Sequence, residues 1–255
     1  MWRYNPLTGN LDKVGLINIA PLCTITTNGW TNSQSGEVLF TGDGTTTDFS
    51  GKVDLPPINP LDSFVLHYTI GGTTYDATTD SDGNITGEHI TSGTINQDGT
   101  YEIHFDTAPD NGTDGTADYN YGIAPTNFEN AFDMDRSNYS SEGWTSSSSA
   151  GYISYVNFEM PDEGAYLCCF ELEGKTTGSG EKLNIGGFSK CDGLEWKLVD
   201  GLFLNPVSNT SGTNYQRTNI RPMCVTGKYA RLGFYLSDAG TFWVRFRYIG
   251  IFRLV

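Results

Sequence analysis

The sequence predicts an all-β chain with an N-terminal extended arm, a small β-sandwich and then a C-terminal jelly-roll β-sandwich. Three observations predict it. Gly, Ser, Thr, Asn and Asp are abundant beside 14 Tyr and 14 Phe, while long Ala/Leu/Glu/Lys periodic segments are missing. Apolar and polar residues alternate in several stretches, the period of a strand with one buried face. Turn signals recur between those stretches: Thr41–Gly44, Gly71-Gly72, Asp82–Asn84, Asp98-Gly99 and Asp110–Gly112. At 255 residues the chain is long enough to bury a sizeable core in one large or two ordinary domains.

Residues 1–32 read as the arm. They hold an apolar stretch, Val14–Leu22, without the 3.6-residue period of an amphipathic helix. Residues 33–122 read as a small acidic β-sandwich of about six strands. Within it Phe64, Leu66, Tyr68 and Ile70 share one strand face, and Tyr101, Ile103 and Phe105 share another. Residues 123–255 read as the jelly roll, reached through Ile123–Thr126 and a Ser-rich loop, Ser146–Ser149. There Tyr152, Ser154, Val156, Phe158 and Met160 fall on one face. Tyr166, Cys168, Phe170 and Leu172 fall on another, with Glu171 and Glu173 opposite. At the end Phe242, Val244, Phe246 and Tyr248 oppose Trp243, Arg245 and Arg247.

Charge divides the chain. Gly36–Tyr121 carries fifteen acids and a single base, Lys52, whereas Gln216–Val255 carries seven bases and a single acid, Asp238. The formal net charge is −15. Such a surface repels nucleic acid, which is excluded as a partner of the first half. It serves solubility, or it meets a basic counterpart within an assembly. Arg245, Arg247 and Arg253 on the last strand are the expected assembly interface, since arginines on a strand face must reach solvent or a partner.

No apolar run approaches membrane-spanning length, and the first residues lack the apolar core of a signal peptide, so no membrane insertion is expected. The five cysteines are odd in number, include the adjacent pair Cys168-Cys169 and form no CxxC. Neither a disulfide framework nor a zinc site follows; reduced, buried thiols made in a reducing cytosol do.

Two resemblances extend this reading. Thr41–Gly51, Tyr68–Tyr75, Gly83–Gly87, Ser92–Ile95 and Phe105–Pro109, followed by Gly112-Thr113 and Tyr119, resemble in order a small β domain recurring in virion proteins of tailed bacteriophages. Tyr4–Asp12 looks like a short leader of phage tail and fibre proteins. These resemblances imply a non-catalytic virion component, such as a capsid decoration, head fibre or tail appendage. It would be made in the host cytoplasm and docked onto other virion proteins through Trp2, Arg3, Tyr4, Asn5, Pro6, Leu7 and Leu11. Homotrimers are common among such appendages. Separately, Gly164–Gly174, Trp196–Phe203, Ala230–Leu236 and Gly240–Val244 resemble jelly-roll carbohydrate-binding modules with a galactose-binding-like fold. Arg245-Phe246 stand where that family often carries Asp-Asn or Asp-Asp after the aromatic pair of its last strand, which argues against a family-type calcium site. What this second resemblance implies is recognition of a host surface glycan, with a polysaccharide depolymerase as the enzymatic alternative.

Catalytic chemistry finds little footing. The three histidines, His67, His89 and His104, sit in no nucleophile motif. The carboxylates lie in hydrated, turn-like positions, where ordinary pKa values are expected, while a glycosidase needs one raised by an apolar pocket. Asp80–Asn84 begins like a calcium loop, but Ile85 and Thr91 occupy the positions of the EF-hand Gly and Glu. A hairpin turn is the competing reading. No cofactor or metal is therefore assigned. Of the five tryptophans, Trp30, Trp144 and Trp196 flank predicted loops or strand edges; Trp196 and Trp243 also match core positions of the jelly roll. Trp144, beside Glu142 and the Ser-rich loop, is the glycan-stacking residue the sequence favours.

Overall fold

Period two is realised almost wherever the sequence alternates. The computed structural model describes residues 2–5, 10–13, 17–133, 138–177, 182–199, 207–208, 215–219 and 222–254. Among them helix is confined to short 3-10 turns at Ala20–Leu22, Leu61–Ser63 and Phe128–Ala131. The protein is all-β.

A hairpin opens the chain: β1 (Trp2–Asn5) pairs antiparallel with β2 (Asn10–Lys13), with Tyr4 opposite Leu11. Among the described residues these two strands pair only with each other. Pro6 and Leu7 lie outside the described residues. β3 (Thr24–Asn28) follows, then the strands of the acidic module. These are β4 (Asn32–Thr41), β5 (Asp48–Lys52), β6 (Val65–Ile70), β7 (Thr73–Thr79), β8 (Ile85–Thr86), β9 (Ile90–Ile95), β10 (Thr100–Phe105) and β11 (Asp114–Tyr121). They form two sheets, β4-β11-β6-β7-β8 and β5-β10-β9, so the module has eight strands rather than six. Phe64, Leu66, Tyr68, Ile70, Tyr101, Ile103 and Phe105 are all buried between the sheets, as the alternation predicts.

The second sandwich contains β12 (Gly143–Ser147), β13 (Gly151–Glu159), β14 (Ala165–Thr176), β15 (Lys182–Lys190), β16 (Lys197–Leu198) and β17 (Val207–Ser208). It continues with β18 (Gln216–Asn219), β19 (Met223–Thr226), β20 (Tyr229–Leu236) and β21 (Gly240–Leu254). One sheet runs β12-β21-β14-β18, with β19 also on β14; the other runs β16-β15-β20-β13-β3, with β17 on β15. Their inner faces enclose a core of Val156, Phe158, Tyr166, Leu172, Leu232, Phe234, Phe242, Phe246 and neighbours.

The expected arm over residues 1–32 does not extend through residues 17–30. β3 pairs with β13, placing Phe158 opposite Ile25, and Trp30 is 1% exposed in the sandwich core. Asn18 stitches the preceding segment down: its Nδ2 donates to the carbonyls of Phe132 (2.9 Å) and Ile249 (3.0 Å), and its Oδ1 accepts from the Ile251 amide (2.9 Å). Residues 17–30 therefore belong to the sandwich, and the acidic module is an insertion after its first strand. The insertion leaves and returns as neighbours, because Asn32 of β4 pairs with Tyr121 of β11. Gly122 closes the junction at φ +93°; a Cβ there would stand 1.7 Å from the Trp30 carbonyl oxygen.

Two bulges correct the face assignments. Register slips between Tyr152 and Ser154, which takes Tyr152 out of the core face. A second slip sets Tyr248 opposite Glu171 and Phe246 opposite Leu172, so Tyr248 leaves the core and Ile249 and Ile251 replace it. Glu173, expected outside, is 8% exposed because the arginines of β21 cover it. Of the cysteines only Cys168 is fully buried, and Cys224 is exposed; none is disulfide-bonded.

Candidate functional site

The outer face of the β12-β21-β14 sheet carries an unusual row. Trp144 of β12 lies directly opposite Trp243 of β21, and Trp243 directly opposite Lys175 of β14. The two indoles stack, with centroids 5.2 Å apart and planes at 29°. Lys175 Nζ stands 4.6 Å from the Trp243 ring and 4.7 Å from the Tyr215 ring. In the neighbouring row the Arg245 guanidinium lies 4.1 Å from Tyr139 and 4.3 Å from Tyr215. Aromatic rings thus alternate with cations across three strands, each cation–π pair worth about 0.5–1 kcal/mol at a half-exposed site.

Segment 52–56 of the inserted module faces one end of this row. A cleft of about 310 Å³ lies between Lys52, Val53, Asp54 and Pro56 on the module and Trp144, Thr177, Thr241 and Trp243 on the sandwich. Its closed end is fixed: the Ser146 hydroxyl donates to the Pro56 carbonyl and bonds Thr241 Oγ1 at 2.7 Å. The Gly122 amide donates to the Pro57 carbonyl at 2.8 Å. Trp144 exchanges both backbone hydrogen bonds with Ile123, at 2.7 and 2.8 Å. The strand carrying Trp144 is therefore held at the junction of the two modules.

Trp144 differs from the freely exposed ring the sequence suggests. It is half-buried, and its Nε1 is out of solvent contact with no acceptor among the described residues. What it offers a ligand is ring surface, not a donor. Trp243, expected in the core, is its stacking partner, and Trp30, expected at an edge, is the core residue. The alternation in β21 already sets Trp243 beside Arg245 and Arg247 and against Phe242, a signal strong enough to outweigh the core assignment. Nothing local in the sequence sets Lys52, Lys175, Tyr139 and Tyr215 together; four separate segments bring them there.

The arginines expected at an assembly interface are engaged within the chain. Arg245 and Arg247 both bond the Glu173 carboxylate, Arg245 at 2.7 and 2.8 Å, and Arg253 bonds Asp162 at 2.6 Å. Burial pushes the Glu173 carboxyl up, but the two arginines outweigh it and hold it below its ordinary value. Glu142 and Glu37 go the other way, against the expectation of ordinary carboxylates. Burial raises Glu142, with partial relief from Lys175 and Arg245. Burial likewise raises Glu37, against hydrogen bonds from Tyr119 and the Asp54 amide. All three histidines pair with aspartates on the acidic module: His67 with Asp76 (2.7 Å), His89 with Asp106 (2.9 Å) and His104 with Asp48 (2.7 Å). Asp80 spends its carboxylate on its own loop, accepting from the amides of Asp82 and Asn84 and from Asn84 Nδ2, which is the hairpin-turn geometry.

No protein-family model matches the chain, and no curated protein matches it. Among solved structures it is similar to a pectin-binding carbohydrate-binding module, at 20% identity over 48% of this chain and 76% of that one, with a TM-score of 0.26. The CBM22-1–CBM22-2 tandem domain of Paenibacillus barcinonensis Xyn10C matches at 9% identity over 93% and 82%, TM-score 0.27. A structure of infectious bursal disease virus matches at 10% identity over 96% and 77%, TM-score 0.26. At such scores these neighbours say nothing about what this chain binds.

Proposed function

We propose that this chain is a non-catalytic bacteriophage virion component that holds a host-surface saccharide on the Trp144–Trp243 row. The stacked indole pair beside a cleft, bordered by lysines and carboxylates, is the observation that carries the binding half. The apolar face of a pyranose packs on indole rings, while Lys52, Asp54 and Lys175 supply the donors and acceptors that its hydroxyls need. The cleft lies at the small end of ligand-pocket volumes, which suits one or two sugar rings at a time. The virion half rests on the ordered phage-like segments of the acidic module. In this reading the β1–β2 hairpin docks the protein onto other virion proteins, and the copies assemble as a homotrimer.

Binding rather than turnover fits the chemistry. Glu173 accepts from Arg245 on one oxygen and from Arg247 on the other, which weakens it as a nucleophile to partner Glu142, the carboxyl that burial raises on this face. A glycan array probed with the intact chain tests the reading. A set of related saccharides should bind, and Trp243→Ala should abolish the signal while leaving the melting temperature within a few degrees. An unchanged array profile in Trp243→Ala overturns the placement of the site. Product release from host polysaccharide would instead establish a depolymerase.

A further inference from the structure

The opposite sheet carries a second aromatic surface. On the outer side of β13, β20 and β15, Tyr152 packs against Phe188 (5.4 Å), Tyr235 (5.3 Å) and Tyr155 (6.2 Å). The rings lie over a glycine floor. Gly186 and Gly233 are register partners, and a Cβ on Gly186 would stand 2.4 Å from the Tyr152 hydroxyl; on Gly233 it would stand 2.9 Å from Phe188. The glycines leave room for Tyr152 to pack close to the sheet, near-parallel to Tyr155 and edge-to-face with Phe188 and Tyr235, and together the rings form an aromatic plate. Leu198, the register partner of Phe188 at its edge, is 47% exposed, and Leu194 before it in the chain is 58% exposed.

Two cations are set into this plate. The Arg231 guanidinium lies 3.9 Å from the Trp196 ring and 4.5 Å from Tyr155, and its Nε donates to Asn157 at 2.6 Å. Lys190 Nζ lies 5.5 Å from Trp196 and 5.3 Å from Tyr229. Neither has a carboxylate within ion-pair distance among the described residues, whereas Lys228, Arg245, Arg247 and Arg253 all do. Aromatic rings, arginine and open leucines are the composition of a protein interface core. An occupant must bring negative charge to meet Arg231 and Lys190.

The chain itself supplies such an occupant. Gly36–Tyr121 carries fifteen acids against one base. Its own copy of that module sits against β12 and β21 of the other sheet, through Ser146 and Pro56. We infer that the plate around Tyr152, Tyr155 and Arg231 receives the acidic module of a second copy of this chain. The contact is heterologous, acidic module to aromatic plate, and a heterologous contact whose rotation closes gives a ring. It replaces the interface expected at Arg245, Arg247 and Arg253.

Sedimentation of the intact chain across concentration and salt tests this. Self-association should weaken as salt rises. Arg231→Gln with Lys190→Gln should raise the dissociation constant by about tenfold or more. Leu198→Glu, an exposed position where the fold has little to lose, should do the same with an unchanged melting temperature. A chain that stays monomeric at every concentration, its plate open to another protein or to a saccharide, overturns the inference. So does self-association indifferent to salt and to all three substitutions.

Discussion

Trp30→Ala separates a sandwich that includes residues 17–30 from one preceded by a loose arm. The Trp30 ring lies 5.4 Å from Phe234 and 5.5 Å from Phe242, and its Nε1 donates to the Tyr155 carbonyl at 3.0 Å. Truncating a buried Trp to Ala costs about 3–5 kcal/mol, and the abandoned carbonyl adds up to about 1 kcal/mol. Taking about 4 kcal/mol, and about 2–4 °C of melting temperature per kcal/mol for a domain of this size, the sandwich transition should fall by roughly 8–16 °C. Tryptophan fluorescence is the assay, because residues 33–122 contain no Trp and the signal reports on the rest of the chain. Tyrosine-dominated signals should show the acidic module melting where it did before, since its core is separate from that of the sandwich. A shift below about 2 °C would refute the placement of this residue in the core.

Other outcomes follow from the same geometry. Replacing residues 33–120 by a short Gly-Ser linker should leave the sandwich folded, because Asn32 and Tyr121 are already strand partners; circular dichroism and fluorescence melts would detect its loss. Glu173→Gln strips Arg245 and Arg247 of their shared counter-charge and should cost about 2–3 kcal/mol, read by chemical denaturation. Arg245→Ser with Arg247→Ser should likewise lower stability, where a purely intermolecular role would lower only assembly. For His67 the hydrogen bond its Nδ1 donates to Asp76 outweighs partial burial, with help from Asp118, and lifts the imidazole above its ordinary 6.5. A raised folded-state pKa gives stability fully present below about 6.5 and lost as pH rises through the folded value. NMR titration should therefore find His67 titrating above 6.5, and Asp76→Asn should bring it down; a folded-state midpoint at or below 6.5 contradicts the pairing.

The acidic module was the most legible part of the sequence. Its strands alternate cleanly, its turns carry Asp-Gly and Gly-Gly, and Phe64–Ile70 and Tyr101–Phe105 bury the residues that period two selects. The sandwich was legible until a strand bulged. One extra residue reverses every face beyond it, and neither Ile153 nor Arg247 announces a bulge by residue type. Residues 17–30 hide their place in the sandwich for a different reason. Thr24–Asn28 becomes a strand by pairing with a segment more than a hundred residues away, and only the three-dimensional fold reveals the intervening module as an insertion.

The candidate face divides in the same way. Trp243, Arg245 and Arg247 could be set on one side by counting along β21. Their neighbours could not, because Lys175, Tyr139, Tyr215 and Lys52 come from other segments and meet only through strand register and the module junction. Nor could the counter-ion of Arg245 and Arg247: Glu173 lies two positions from Glu171 on a strand face read as turned to water.

The most direct test of the proposed function is a structure of the intact chain with a bound host-surface saccharide. A sugar ring packed on the Trp144 and Trp243 indoles, with Lys175 or Lys52 in hydrogen-bond contact, is the predicted result. A saccharide bound elsewhere on the molecule, with that row bare, contradicts it.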